Sequence, residues 1–161
     1  MTPDVFEKQV LIPAPREEVF AFFSDAANLD RLTPPWLHFR ILTTMPIRME
    51  AGARIRYRLR VHGLPIGWLT EITRWEPPRM FEDTQLRGPY RKWIHQHQFE
   101  EASGGTLMTD RVEYLSRGWI LAPVLHRLFV RPDVAAIFAY RNECLGRIFG
   151  RPSDARVEQP S

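Results

Sequence analysis

The stretch RKWIHQHQFEE, residues 91–101, alternates aromatic and polar side chains in a pattern that predicts a β-strand. Successive side chains of an extended chain point to opposite faces. One face of this strand then carries Trp93, His95, His97 and Phe99. An aromatic face is normally the buried one, and here it takes two imidazoles inward with it. The strand therefore predicts a buried polar site in an aromatic setting.

Six further segments have the alternation or the turn boundaries of strands. They cover residues 6–12, 37–44, 53–62, 66–76, 79–87 and 106–116. Turn residues separate them, as in Pro77-Pro78, Gly88-Pro89 and Gly104-Gly105. Links this short favour antiparallel neighbours, so the sequence predicts an antiparallel sheet of seven strands.

Two short helices are expected after the first strand. Pro15 suits the first turn of a helix over 15–23, and Ser24 or Asp25 can cap a second helix that ends near residue 32. After Gly118 the apolar residues recur at steps of three and four, which predicts a long helix through Phe149 with a shorter helical piece near 119–130. Asp133 is expected to cap the long helix.

Composition and length indicate one globular domain over residues 1–150. The chain has 161 residues, of which 44% are hydrophobic and 25% charged. Residues 151–161 contain one large aliphatic residue and no aromatic residue, which predicts a disordered tail. No apolar run approaches the ~20 residues of a membrane helix, the start lacks a secretion signal, and Cys144 is the single cysteine. We therefore expect a cytoplasmic protein without membrane insertion.

The basic residues are almost all arginine, and four of them alternate along ARIRYRLRV: Arg54, Arg56, Arg58 and Arg60. This is the pattern of a half-buried strand with a solvated outer face. A net charge of +3 is small for a nucleic-acid-binding protein. No nucleic-acid partner is predicted.

Four segments together resemble a known superfamily. They are IPAPREEVFAFFSDAANLDRLTPPW, FEDTQLRGPYRKWIHQHQFEE, GGTLMTDRVEYLSRG and IFAYRNECL, within a resemblance that spans roughly residues 4–149. They resemble the START-like, birch-allergen-like superfamily, and within it the bacterial branch labelled polyketide cyclase/dehydrase or SRPBCC. The resemblance implies an α+β helix-grip fold, in which a curved seven-stranded antiparallel sheet wraps around the long C-terminal helix and a pocket lies between them.

The residues expected to line that pocket follow from the alternation on each strand. They are Tyr57, Leu59, Trp68, Ile72, Phe81, Asp83, Gln85, Trp93, His95, His97, Asp110, Val112 and Tyr114, with Phe138 and Arg141 from the helix. Burying the polar members without partners costs on the order of 1–3 kcal/mol each, so they should pair. Two interpretations stay open. The pairs form a structural ladder across the strands, or part of the ladder orients a ligand.

Binding of a hydrophobic small molecule, aromatic, polyketide-like or lipid-like, is the first functional hypothesis. The second is an enzyme of the cyclase, dehydratase or isomerase kind, in which His95 or His97, oriented by Asp83 or Asp110, moves protons. Lys8 and Lys92 are expected at the surface and take no part. The third is a structural or regulatory interaction domain. The chain is expected to be a monomer or homodimer.

A metal site is a weaker hypothesis. An H-x-H pair on a strand can supply two imidazoles to one face, and a neighbouring carboxylate can add a third ligand. Two histidines without a further histidine or cysteine cluster carry little information, and the resemblance implies no metal. We therefore predict no metal and no cofactor.

Overall fold

The structure, a computed structural model, describes residues 2–116 and 131–158. The strands are β1 (Asp4–Ile12), β2 (Arg40–Ile41), β3 (Arg54–Val61), β4 (Leu64–Glu76), β5 (Met80–Arg87), β6 (Tyr90–Ala102), β7 (Gly105–Ser116) and β8 (Ser153–Glu158). The α-helices are α1 (Arg16–Phe23), α2 (Leu29–Leu32) and α3 (Arg131–Phe149), and 3-10 turns occupy Ala26–Asn28 and Pro35–Leu37. The helical piece expected near 119–130 lies outside the described residues.

The strands form one antiparallel sheet in the order β2-β3-β4-β5-β6-β7-β1-β8. The sheet is curved, and α3 lies on its inner face, where Phe138 packs 4.7 Å from Phe6 of β1 between ring centroids. The predicted helix-grip fold, with short helices early and a long helix late, is confirmed. The seven predicted strands are all present, and β8 makes an eighth among the described residues.

The strand expected over 37–44 is reduced to two residues. His38 ends the preceding 3-10 turn in a left-handed conformation with φ 46°, which directs the chain away from a ladder. Leu42 and Thr43 then reach the carbonyl of Arg56 with their amides at 2.7 and 3.3 Å. Alternation alone cannot reveal such a turn, because Leu37 and Phe39, which flank His38, are both compatible with a β-strand.

Two expectations at the C-terminal end differ from the structure. We expected a disordered tail over 151–161, whereas Ser153–Glu158 pairs with β1 through backbone hydrogen bonds, which require no apolar side chain. Asp133 was expected to cap the long helix, but it lies in the first turn of α3, and its carboxylate is 2.9 Å from His62 Nε2. Its negative charge still favours the helix N-terminus.

Phenylalanine side chains fill one end of the space between the sheet and α3. Phe20 and Phe23 of α1 pack against Phe99 of β6 at centroid distances of 5.4 and 5.7 Å, and Leu145 of α3 is 1% exposed beside them. Interiors packed this closely leave no room for a ligand. We call Phe20, Phe23, Phe99 and the buried residues packed against them the phenylalanine core. It holds α1 and the C-terminal half of α3 in place.

No helix in residues 2–116 or 131–158 is both long and apolar enough to span a bilayer.

Candidate functional site

A bulge in β6 decides which side chains face α3. The register between β6 and β7 shifts between Tyr90 and Lys92, so Arg91 is the extra residue and Trp93 aligns with Tyr114. The shift precedes Trp93, and the predicted alternation through Phe99 is therefore preserved. It also turns Tyr90 inward, opposite Ser116.

Both histidines of β6 lie inside and bind carboxylates of the neighbouring strands, His97 to the directly opposite Asp110 and to the diagonal Asp83, and His95 to the diagonal Asp110. His97 places Nε2 3.2 Å from Asp83 of β5 and Nδ1 2.9 Å from Asp110 of β7. His95 places Nε2 3.0 Å from the same oxygen of Asp110. Arg141 of α3 completes the group, with one guanidinium nitrogen 3.3 Å from Asp110. We call these five residues the polar cluster.

His97 is held as an imidazolium. Burial alone would lower its pKa, but hydrogen bonds to Asp110 and Asp83 outweigh burial and raise the pKa above the ordinary value. Both ring nitrogens then donate, one to each carboxylate. The 3.4 Å approach of Arg141 to Nδ1 is accordingly two cations converging on Asp110. His97 also stacks on Phe81 at 4.2 Å between ring centroids, which suits a cationic ring.

His95 is the neutral imidazole of the pair. Burial and the neighbouring charge of His97 lower its pKa, although Asp110 partly opposes them. A neutral ring that donates from Nε2 to Asp110 keeps a lone pair on Nδ1. Within the part of the chain that the structure describes, Nδ1 of His95 has no hydrogen-bond partner. The two histidines, 3.9 Å apart between centroids, thus have different protonation states and different roles.

The two carboxylates stay ionised despite their burial. Burial would raise the pKa of Asp110, but the charge of Arg141 and the bonds from both histidines lower it well below the usual range. Burial opposes the lowered pKa of Asp83 in the same way, and the hydrogen bond from His97 together with the positive charge of that ring outweighs it. Thr70 adds a hydrogen bond to Asp83 at 3.1 Å. Two anions and two cations leave the polar cluster neutral, which is what burial requires.

Beyond the polar cluster, away from the phenylalanine core, the inner face is aromatic. We call these side chains the aromatic cluster: Tyr57, Trp68, Tyr90, Trp93 and Tyr114. Trp68 stacks on Tyr57 at 5.7 Å and meets Trp93 edge to face at 5.3 Å. Tyr57, Tyr90 and Trp93 are only half-buried. Trp68 is 8% exposed, and its indole nitrogen is buried without a hydrogen-bond partner among the described residues.

The structure separates the expected pocket residues into groups. Ile72 and Phe81 belong to the phenylalanine core, 2% and 4% exposed, while Leu59, Val112 and Phe138 pack beside the aromatic cluster. Gln85 does not join the polar cluster, because its side-chain amide binds the backbone of Tyr90 at 2.8 and 3.3 Å.

Two residues lie on a different side of the sheet from the one that the sequence predicts. Lys8, expected at the surface, is half-buried and aligned with Asp110 across β1 and β7, so its side chain starts on the inner face. Tyr90 was not among the expected pocket residues, because the bulge after the Gly88-Pro89 turn reverses its side. Lys92 is on the outer face as expected, paired with Glu113.

Three members of the polar cluster are close enough together to coordinate a metal ion. Asp83, His95 and His97 each offer a ligand atom within 4.8 Å of the other two. Ligation by His97 would require a deprotonated nitrogen, whereas both of its nitrogens bind carboxylates, and the guanidinium of Arg141 adjoins the group. The donor set fits an ion-pair network better than a metal centre.

A cavity of about 600 Å³ opens at the edge of the sheet beside the aromatic cluster. Its lining residues are His38, Phe39, Arg40, Arg58, Leu59, Arg60 and Pro65. Phe39 and Leu59 contact the aromatic cluster, and the arginines lie at the surface. A second cavity, of about 390 Å³, lies at the opposite end near Arg16 and Arg79.

Comparison with known proteins identifies a family and several solved structures that this chain resembles. Residues 12–136 match the family model described as polyketide cyclase / dehydrase and lipid transport. The chain is similar in structure to protein CV1439 from Chromobacterium violaceum (TM-score 0.71, 13% identity, 91% of this chain and 97% of that one). It is also similar to TTHA0849 from Thermus thermophilus (TM-score 0.65, 20% identity, 89% and 98%) and to the major latex-like protein 151 of Panax ginseng (TM-score 0.68, 8% identity, 92% and 99%).

A search of curated proteins finds no match. The structural likenesses have identities that establish the fold alone, whereas the family model covers most of the chain. The protein therefore belongs to the polyketide cyclase / dehydrase and lipid transport family, within the START-like, birch-allergen-like superfamily.

Proposed function

We propose that the protein binds a largely apolar, ring-containing small molecule between α3 and the aromatic cluster. The observation that carries this proposal is the indole N–H of Trp68, which is buried without an acceptor among the described residues. An unsatisfied buried donor costs about 1–3 kcal/mol, which a ligand oxygen at this point would recover. Family membership and the half-buried rings of Tyr57, Tyr90 and Trp93 support the same proposal.

The polar cluster sets one boundary of this site. It lies between the aromatic cluster and the phenylalanine core, and its charges are already paired within the protein. An apolar molecule therefore meets a neutral polar wall at one end and aromatic faces elsewhere. The ladder and ligand interpretations of the histidines are compatible, because His97 is fully engaged and His95 keeps one free nitrogen.

Replacing Trp68 with phenylalanine is expected to weaken binding of a ligand that carries a hydrogen-bond acceptor. Prodan, an uncharged naphthalene ketone, should bind the protein with a blue-shifted emission and lose roughly 3–10-fold in affinity in Trp68→Phe, the worth of one neutral hydrogen bond. N-phenyl-1-naphthylamine, which has no carbonyl, should bind both proteins equally. Fluorescence titration measures each affinity.

Trp36→Phe is the matched control, because Trp36 is 54% exposed. It should leave the affinity for both probes unchanged. Failure of both probes to bind the unmodified protein contradicts the proposed function. Equal prodan affinity in the Trp68→Phe variant and the unmodified protein contradicts the role given to the indole N–H.

The free Nδ1 of His95 favours a second candidate function, proton abstraction from a bound ligand. Asp110 holds the ring through Nε2, so the lone pair on Nδ1 points away from the carboxylate and is available as a base. The lowered pKa keeps the ring neutral at neutral pH. This is the arrangement of an oriented general base, and the nearby rings supply a place for an aromatic substrate.

A generic carbon acid tests this candidate without knowledge of the natural substrate. 5-Nitrobenzisoxazole loses its C3 proton to a base as its N–O bond breaks, giving a nitrile and a phenolate that absorbs visible light. We expect the protein to accelerate this reaction at least about tenfold more than the His95→Gln variant, a modest share of the usual 10²–10⁴ contribution of a general base. The rate should fall with decreasing pH as His95 becomes protonated.

Glutamine at position 95 can still donate to Asp110, so the loss would not simply reflect a broken cluster. His38→Asn, a change at an exposed histidine in a left-handed conformation that asparagine tolerates, should keep the full rate. Equal rates for His95→Gln and the unmodified protein would exclude His95 as the base.

A further inference from the structure

Arginines at the edge of the sheet lack the acidic partners that other arginines on the same sheet have. Arg54 of β3 places Nε 2.6 Å from Glu71, and Arg74 of β4 is 2.7 Å from Glu76. The side chains of Arg40, Arg58 and Arg60 have no ion pair or hydrogen bond with any other described residue. The row of exposed arginines on β3 therefore has a paired end, at Arg54, and an unpaired end, at Arg58 and Arg60.

The unpaired end brings like charges together. Arg40 of β2 and Arg58 of β3 are directly opposite in the ladder, where residues on neighbouring strands are about 4.5–5.5 Å apart between Cα atoms. Like charges in directly opposite positions destabilise a sheet. The neighbour of Arg58 on its other side is Gly67, where an added Cβ would meet nothing within 4 Å, so no bulky side chain covers the guanidinium from that strand.

The same arginines line the cavity of about 600 Å³, together with Arg60, while Phe39 and Leu59 supply its apolar wall. These two apolar residues also belong to the hydrophobic cluster that contains Trp68. A molecule in the cavity would thus touch arginines with one part and apolar side chains with another. Neither a plain salt ion nor an uncharged hydrocarbon matches both parts.

We infer that this cavity is a binding site for a small amphiphilic anion, a molecule with a carboxylate, sulfonate or phosphate head and an apolar body. The head lies between Arg40 and Arg58, where an anion relieves the repulsion of the opposed guanidinium groups and accepts charge-assisted hydrogen bonds. The body lies against Phe39 and Leu59. The inference goes beyond the proposed function, because it adds a second site, at the sheet edge, for molecules that carry an acidic group.

Two dyes with the same skeleton separate the head from the body. 1-Anilinonaphthalene-8-sulfonate carries a sulfonate, and N-phenyl-1-naphthylamine is its uncharged counterpart. We expect the double variant Arg40→Gln/Arg58→Gln to lower affinity for the sulfonate dye about fivefold, because it removes both of the charges that face the sulfonate. Affinity for the uncharged dye should stay the same.

The matched control is Arg54→Gln/Arg74→Gln, which removes two positive charges from the same sheet where each arginine already has a glutamate. Affinity for the sulfonate dye should be retained in this control. Raising the salt concentration should weaken binding of the sulfonate dye to the unmodified protein and leave the uncharged dye unaffected. Fluorescence titration of all three proteins measures these effects.

An equal loss in both double variants would show a response to net charge alone and would overturn the inference, as would no loss in Arg40→Gln/Arg58→Gln. Failure of both prodan and the uncharged dye to bind, with the sulfonate dye still dependent on Arg40 and Arg58, would instead reject the proposed apolar site and keep the anion site. The two proposals therefore fail on different measurements.

Discussion

Replacing Asp110 with alanine is expected to lower the free energy of unfolding by about 3–5 kcal/mol, the usual cost of breaking a buried ion pair from one side. Asp110 is 5% exposed and is the shared acceptor of His95, His97 and Arg141. Its removal leaves two buried cations with one remaining anion. Urea unfolding followed by tryptophan fluorescence gives the change, provided that the slope with urea is preserved.

Two controls make this result specific to the polar cluster. Asp30→Ala removes an exposed carboxylate from α2 and should change stability by no more than about 0.5 kcal/mol. Asp110→Asn keeps the shape and one acceptor and should lie between the alanine variant and the unmodified protein. A loss below about 1 kcal/mol in Asp110→Ala would contradict the charge assignment.

The pH dependence of stability provides an independent check. Because the pKa of Asp110 is lowered in the folded state, its contribution is complete above the ordinary aspartate pKa of about 4 and is lost as the pH falls further. The raised pKa of His97 acts oppositely, with a contribution complete below about pH 6.5 and lost as the pH rises through the folded-state value. Asp110→Ala should therefore lose less stability than the unmodified protein on acidification below pH 4.

Replacing Gly105 with alanine is expected to cost about 4 kcal/mol. Gly105 begins β7 with φ 147°, a conformation that costs other residues about 1–3 kcal/mol. An added Cβ would also overlap the carbonyl oxygen of Ile12, a backbone clash that adds roughly another 1–3 kcal/mol. The stability loss can be measured by the same urea titration.

Gly104→Ala is the matched control on the adjacent residue. Gly104 also has a positive φ, 89°, but its nearest contact to an added Cβ is Leu11 at 3.9 Å. It should lose only the conformational part, about 1–3 kcal/mol. Equal losses in the two variants would show that backbone conformation, and not the close approach of β1 to the turn, limits this position.

The sequence was sufficient for the sheet, because alternation and turn residues report strands directly. Trp93 through Phe99 kept their predicted side since the bulge of β6 comes before them. The pairing of the histidines with carboxylates could also be predicted from the sequence, because buried polar groups need hydrogen-bond partners. The diagonal contacts, His97 with Asp83 and His95 with Asp110, could not be predicted, since they depend on side-chain reach between neighbouring strands.

Three other features could not be predicted from the alternation of side chains or from turn residues. The opposition of Arg40 and Arg58 requires the register of β2, and alternation cannot set a register for a two-residue strand. β8 is held by backbone pairing, which side-chain patterns do not reveal. The inward side of Tyr90 depends on one extra residue in a strand, and a shift of one residue reverses every side chain before it.

The position of Arg141 on α3 has a consequence for ligand size. Val134 and Arg141 are seven residues apart, which along a helix axis is about 10 Å. The guanidinium ties the helix to the sheet at one end of that interval, and the phenylalanine rings fill the space beyond it. If the proposed ligand lies along α3, we expect it to be a compact fused-ring molecule, because a long straight acyl chain would have to extend past Arg141 into the phenylalanine core.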